Sequence, residues 1–180
     1  MSESVRQGNS TESVVRGPLP PESLHHYAAI MTTPWPAVKL GICADDEAIS
    51  SIDFLPESAT EIAATSPVAQ EALRQLHNYF LDPHRVFTLP IAPRGTPFQQ
   101  RVWGALRRIP VGATISYGAL ARQLHSSARA VGGACRANPI PLIIPCHRVV
   151  AAQGMGGFMG ATAGRGLRIK RCLLVHESAS

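Results

Sequence analysis

Capping residues and helix breakers divide residues 96–139 into three short helices, and this punctuation limits what the second half of the chain can fold into. Thr96-Pro97-Phe98-Gln99 supplies a capping threonine, a first-turn proline and a glutamine placed to return the cap's hydrogen bond. Phe98, Val102, Leu106 and Ile109 then form one buried face, which Pro110-Val111-Gly112 ends. Ser116 caps a helix over residues 117–124, a second follows His125-Ser126 over about 127–137, and Asn138-Pro139 stops it. Two short helices joined by a tight turn are a helix-turn-helix signal. In the second of them Ala128, Val131 and Cys135 face inward, while Arg129, Gly132, Gly133 and Arg136 share the opposite face. Adjacent glycines inside a helix cost about 2 kcal/mol relative to alanine. Either a phosphate-lined groove approaches that backbone or the helix packs closely against the core.

The first half reads differently. Residues 25–32 suggest a strand; Val38, Leu40, Ile42 and Ala44 alternate with more polar neighbours, and the turn Asp45-Asp46-Glu47 leads into residues 48–55, giving a hairpin or meander. Ser66-Pro67 starts a helix to about Leu81 with the stripe Val68, Ala72, Leu73, Leu76 and Phe80. Residues 86–91 suggest a further strand, and Pro93-Arg94-Gly95 a linker. The expected organisation is a disordered segment over 1–23, an α/β domain over 24–92 and a second domain over 93–180.

Charge separates the halves as well. Residues 1–90 hold five Lys/Arg against eleven Asp/Glu, whereas residues 91–180 hold twelve against one, Glu177. So basic a half suits a polyanion, and nucleic acid is the expected partner. Four widely spaced cysteines without a Cys-x-x-Cys pair argue for reduced thiols in a cytoplasmic compartment, and the scattered histidines for no bound metal. No apolar run approaches the ~20 residues of a membrane span, and the polar start lacks a secretory pattern.

The chemistry concentrates in Ile143-Ile144-Pro145-Cys146-His147-Arg148-Val149-Val150, where β-forming residues bracket a thiol, an imidazole and a guanidinium. A free thiol with a pKa of about 8.5 attacks only as thiolate, so it needs a base and positive charge nearby. His147 can be the base, directly or through a water, and Arg148 with other cations can lower the thiol pKa; Glu177 would complete a Cys-His-acid relay. Cys146 as a buried structural residue of a core strand is an equally open alternative. A glycine-rich loop over 151–166 carries one aromatic residue, Phe158. The last helix is expected from about Leu167, with Ile169, Cys172, Leu173 and His176 inward. Arg165, Arg168, Lys170 and Arg171 lie near its N-terminus, where cations oppose the helix dipole and suggest a binding role.

Residues 96–177 resemble the O6-alkylguanine-DNA alkyltransferases. The shared motifs are Gly95-Thr96-Pro97-Phe98-Gln99, Val111-Gly112 with Ser116-Tyr117-Gly118, Ala128-Arg129-Ala130-Val131-Gly132, Arg136-Ala137-Asn138-Pro139, Ile144-Pro145-Cys146-His147-Arg148-Val149 and Leu173-Leu174-Val175-His176-Glu177. The resemblance implies an N-terminal mixed α/β, RNase H-like domain followed by a mainly helical winged helix-turn-helix catalytic domain. It implies a single-turnover transfer, without cofactor, of an alkyl group from guanine O6, and from thymine O4, to Cys146. His147 would draw the thiol proton through a bridging water, Glu177 would orient His147, Tyr117 would act near guanine N3 and Lys170 would add positive charge. Asn138 would brace the turn before the active-site strand, and Pro145, Val149, Phe158 and the Met159 backbone N–H would surround the base. The partner would be double-stranded DNA entered from the minor groove, with Arg129 filling the vacated stack, Ala130, Gly132 and Gly133 allowing close approach, and Arg136 on the same face. The protein would act as a monomer, with cooperativity on DNA open. Phe158 stands where the family usually has tyrosine, Cys172 where tryptophan is common, and the loop over 161–166 looks longer than usual. A non-catalytic lesion binder, a winged-helix regulator and a Cys-His hydrolase remain as rival readings.

Overall fold

The structure, a computed structural model, describes residues 27–178. The disordered segment expected over 1–23 lies outside the described residues, as do residues 25 and 26 of the strand expected over 25–32.

Three strands, β1 (Ala29–Thr32), β2 (Val38–Ala44) and β3 (Ile49–Pro56), form an antiparallel sheet in sequence order. Ile42 pairs with Ala29 on one side and with Ile52 on the other, so alternation puts one apolar face on the core. The opposite face carries a small cluster of Tyr27, Ile30, Leu55 and Ala59. Gly41 sits beneath it because a Cβ there would stand 2.6 Å from the Tyr27 ring.

Helix α1 (Pro67–Leu81) starts as the sequence predicts, with the Ser66 hydroxyl accepting from the Ala69 N–H at 3.2 Å. Its buried face is Ala69, Ala72, Gln75, Leu76 and Tyr79, rotated from the expected stripe; Val68, Leu73 and Phe80 pack at the edge. The strand expected over 86–91 does not form. Val86 is 80% exposed, and a single bridge joins Ile49 to Ile91. Pro90 offers no N–H to a ladder, and the segment hangs instead from Gln75, whose side chain bonds both the backbone N–H and the hydroxyl of Thr88.

In the second half, α2 (Pro97–Leu106) has both hydrogen bonds of the capping box. It ends at Leu106, so Ile109 joins the core rim from the following turn and is not part of the helix face. The short strand β4 (Ile115–Ser116) pairs in parallel with β5 (Val149–Val150). Helices α3 (Tyr117–Gln123) and α4 (Ala128–Arg136) follow, α3 capped by Ser116 as expected and α4 by Ser127, which was expected inside the helix, with His125 at φ +50° in the turn between them. Val131, Ala134 and Cys135 bury the inner face of α4; Ala128, expected inward, is exposed at the first turn. The Trp103 indole N–H donates to the Ala134 carbonyl at 2.9 Å and fixes α4 against α2.

The last helix, α5 (Gly164–Ser178), begins three residues before the expected Leu167 and buries Ile169, Lys170, Leu173 and Glu177. Cys172 and His176, expected inward, lie half-buried at its edge. One continuous hydrophobic core runs from Leu40, Ile42 and Leu76 to Val102, Leu106, Ile144 and Leu173, so both halves are packed around a shared interior.

Candidate active site

Asn138 organises the entry to the site. Its amide N–H groups donate to the Ile144 carbonyl at 2.7 Å and to Cys146 Sγ at 3.2 Å, and its Oδ1 accepts from the Ile140 N–H at 3.1 Å. The buried loop after α4 is thereby closed on one side chain, which also sets a polarised N–H against the sulfur.

Cys146, His147 and Arg148 form a single 3-10 turn, not the strand that their β-forming neighbours suggest; only Val149 and Val150 are extended. Successive residues of a 3-10 turn point about 120° apart. Cys146 accordingly lines a cavity, while His147 and Arg148 reach Glu177. All three are buried.

Glu177 is the hub of this polar cluster. Its Oε1 lies 2.8 Å from His147 Nε2 and accepts from Tyr79 Oη and Arg148 Nη2, each at 2.9 Å; its Oε2 accepts from Arg148 Nε at 2.9 Å. A third guanidinium nitrogen donates to the Ile109 carbonyl at 2.6 Å. Burial alone would push the Glu177 carboxyl up, but the hydrogen bonds from His147 and Arg148 prevail and hold it well below the usual carboxylate range. Burial moves His147 the other way, below its ordinary value despite the carboxylate. The imidazole is therefore neutral near pH ~7. With Nε2–H donated to Glu177, Nδ1 carries the lone pair, and this buried atom has no hydrogen-bond partner among the described residues.

The Cys146 thiol is pushed up by burial, against the Asn138 hydrogen bond and the Lys170 ammonium, so it rests protonated and requires a base. Arg148, expected to lower this pKa, is committed to Glu177 and Ile109; Lys170 is the cation that acts on the sulfur. Lys170 itself is fully buried. Its Nζ donates to the carbonyls of Val149, Met155 and Gly157 at 2.6, 2.7 and 2.9 Å, and burial brings its pKa down to about 8. Arg165 donates to the Leu55 and Ala37 carbonyls across the sheet. Of the four cations expected to bind a ligand at the start of α5, two thus hold the protein together, and only Arg168 and Arg171 are exposed.

The cavity holds about 200 Å³ and is lined by Tyr117, Gly132, Cys135, Arg136, Cys146 and residues 157–162. Its far wall is a tight turn in which Phe158 and Ala161 exchange both backbone hydrogen bonds at 2.9 Å, with Met159 at φ +50° and Gly160 at φ +83°. Phe158 is buried, its ring edge-on to Phe54 of β3 at 5.9 Å. Tyr117 Oη donates to the Gly157 carbonyl at 3.1 Å, and burial raises its pKa to about 12. Pro145 and Val149 are buried behind the thiol without lining the cavity; Met159 is 38% exposed at its mouth.

Beside the mouth, α4 presents Arg129, Gly133 and Arg136 to solvent with Ala130 and Gly132 half-buried. A Cβ built on Gly132 or Gly133 meets nothing within 4 Å, so these glycines do not serve packing against the protein's own core. Sequence reasoning missed Tyr79, Cys135 and the pinning role of Lys170. For Tyr79 the available signal was a phenol within a turn of the buried Leu76, a position that requires a polar partner. Among the described residues, no group of three or more His, Cys, Asp or Glu is placed to hold a metal, and no helix is long and apolar enough to cross a membrane.

A mixed α/β fold that sets a buried thiol at the foot of a cavity, with a neutral imidazole and carboxylate behind it, defines a cysteine-nucleophile protein. Comparison with known proteins narrows the class. Residues 97–179 match the family model described as 6-O-methylguanine DNA methyltransferase, DNA binding domain. The methylated-DNA–protein-cysteine methyltransferase of Methanosarcina acetivorans is 37% identical over 164 residues, covering 85% of this chain and 99% of the relative. That of Haemophilus influenzae is 39% identical over 153 residues, covering 80% and 83%. Among solved structures, the O6-methylguanine methyltransferase of Mycobacterium tuberculosis superposes with a TM-score of 0.68 at 35% identity, covering 83% of this chain and 93% of that one. The same organism's OGT in complex with DNA gives 0.66 at 36% identity, covering 83% and 92%. The chain belongs to the methylated-DNA–protein-cysteine methyltransferase family.

Proposed function

We propose that this protein repairs alkylated DNA by moving the alkyl group from guanine O6, and from thymine O4, irreversibly onto Cys146. The observation that carries this reading is the pairing of a cavity-lining thiol with a neutral His147 whose Nε2 is engaged by Glu177 and whose Nδ1 is free to accept a proton. His147 takes the Cys146 proton through a bridging water. The thiolate then attacks the alkyl carbon in line with the C–O6 bond; the S–C bond forms as C–O6 breaks, and the electron pair passes into the purine. Tyr117 acts near guanine N3, where the leaving base gains a proton. Asn138 and Lys170 favour the thiolate. The product is a thioether with no step to reverse it, so each chain reacts once. Phe158 forms an aromatic wall, the Met159 N–H faces O6, and Pro145 and Val149, which do not line the cavity, hold the thiol's turn in place beneath the base.

A base inside a duplex must be rotated out to reach this thiol, at a cost of a few kcal/mol. Arg129 enters from the minor groove to fill the vacated stack, with Ala130, Gly132 and Gly133 permitting close approach and Arg136 meeting phosphate. The open surface over both glycines supports this placement. In this reading α3 and α4 act as a winged helix-turn-helix within an alkyltransferase domain over 93–180. Residues 24–92 form an RNase H-like domain, and the protein works as a monomer in the cytoplasm.

The test is intact mass after incubation with excess duplex containing O6-methylguanine, followed by peptide mapping. One methyl per chain on Cys146 is expected. No mass gain with DNA binding intact would replace this reading with a lesion binder or winged-helix regulator; continued turnover would replace it with a Cys-His hydrolase.

A further inference from the structure

The carboxylate behind the imidazole is reached from the first half of the chain. Tyr79, on α1, is 1% exposed, and its hydroxyl donates to Glu177 Oε1 at 2.9 Å across 98 residues of sequence. We propose that Tyr79 is a positioning residue that sets the basicity of His147 through Glu177, which gives the N-terminal half a part in the chemistry. The inference rests on the reading of His147 as the base that takes the Cys146 proton.

Oε1 has two lone pairs and accepts from three donors, His147 Nε2, Arg148 Nη2 and Tyr79 Oη. The donors compete for the same charge. Each hydrogen bond from the phenol or the guanidinium stabilises the carboxylate as it stands and weakens its pull on the imidazole proton. The phenol can act only as a donor here, because burial and the adjacent carboxylate push its pKa far above its ordinary value. Its ring is held in place: it lies 5.4 Å from Phe87 and edge-on to His176 at 5.2 Å, and His176 Nε2 lies 2.8 Å from the Tyr79 carbonyl.

The groups around the relay act in opposed directions. From α5, Glu177 favours the imidazolium and Lys170 disfavours it; Arg148 of the 3-10 turn also disfavours it. Tyr79 of α1 adds no charge, but it tempers the one anion present. A base that must be neutral to accept a proton works only above its own pKa. Removing the phenol strengthens the Glu177–His147 interaction, raises the folded-state pKa of His147 and removes the neutral form at the acid end of the pH range.

The experiment is single-turnover transfer from free O6-benzylguanine by the full-length wild type and Tyr79→Phe across pH ~5–9. The acid limb of the variant should move up by about one pH unit, lowering the rate at its foot about tenfold while the alkaline plateau changes less than about threefold. Incorporation of 3,5-difluorotyrosine at position 79, a stronger donor of similar shape, should move the limb down. A limb that stays in place, or a loss uniform across pH, would overturn the proposal. The nitrogen chemical shifts of His147, titrated by NMR in the wild type and both variants, read the same pKa without any transfer. If these shifts move while the wild type transfers nothing, the repair reading fails and the tuning stands; if the wild type transfers and neither readout moves, Tyr79 has no such role.

Discussion

Replacing Arg148 with methionine should lower folding stability by about 3–5 kcal/mol, a loss typical of removing one partner from a buried ion pair. Glu177 is 2% exposed, and the guanidinium compensates both of its oxygens, Nε to Oε2 and Nη2 to Oε1, each at 2.9 Å. Methionine retains much of the apolar stem yet leaves an anion in the interior with only His147 and Tyr79 as donors. The Ile109 carbonyl also loses its partner at 2.6 Å. For a chain of this size the loss corresponds to a fall in melting temperature of about 6–20 °C. The pH dependence has a definite sign. In the wild type, burial pushes the Glu177 carboxyl up but the His147 and Arg148 hydrogen bonds prevail, so its folded-state pKa lies well below the reference 4.5. Its contribution is complete above that reference and is lost as the pH falls below it. Without the guanidinium, burial dominates and the folded-state pKa rises past the unfolded one, so the stability gap between the two proteins should narrow as the medium is acidified. Urea unfolding followed by Trp35 and Trp103 fluorescence, at about pH 7 and again at about pH 4.5, measures the gap. A difference below about 1 kcal/mol at neutrality, or one equal at both pH values, would refute the reasoning.

Three further outcomes test the nucleic-acid face and the nucleophile. Gly133→Ala should stabilise the protein by about 0.5–1 kcal/mol, because the added methyl meets nothing, while weakening duplex binding in an anisotropy titration; a loss of stability would show that the glycine serves the fold. Arg129→Ala should slow repair of an alkylated duplex far more than reaction with free O6-benzylguanine, since only the duplex requires extrusion of the base, and equal losses on the two substrates would contradict that role. Cys146→Ala should abolish transfer in the mass assay yet retain affinity for alkylated DNA; transfer that persists would remove Cys146 from the centre of the chemistry.

What could be read in the sequence was local. Ser66, Thr96 and Ser116 cap the three helices they were expected to cap, because a cap hydrogen bond closes within three residues and needs no tertiary partner. The strand expected over 86–91 failed for the converse reason: pairing is a tertiary event, and Pro90 and the Gln75 side chain decide it. Within the site, the residue types of Cys146, His147 and Glu177 carried the chemistry, but not the 3-10 turn that sets Cys146 on the cavity and His147 on Glu177. Two assignments of charge went astray because a sequence shows where a cation sits along the chain and not which way it faces. Arg148 serves the carboxylate in place of the thiol, and Arg165, grouped with the ligand-binding cations, is tied to backbone carbonyls of the first half. Tyr79, 98 residues from its partner, had only the general demand of a buried phenol to betray it.

The far wall of the cavity does not stand alone. Phe158 leans on Phe54 of the N-terminal sheet, and Arg165 ties the start of α5 to the Leu55 carbonyl of the same sheet and to the Ala37 carbonyl in the turn before β2. The shape of that wall is therefore adjustable from a residue that does not line the cavity. A smaller residue at position 54 gives the ring room to retreat without altering the nucleophile, its base or the open glycine face. The far wall and the nucleophile are thus held by different elements, and a change at position 54 reaches the first without contact to the second.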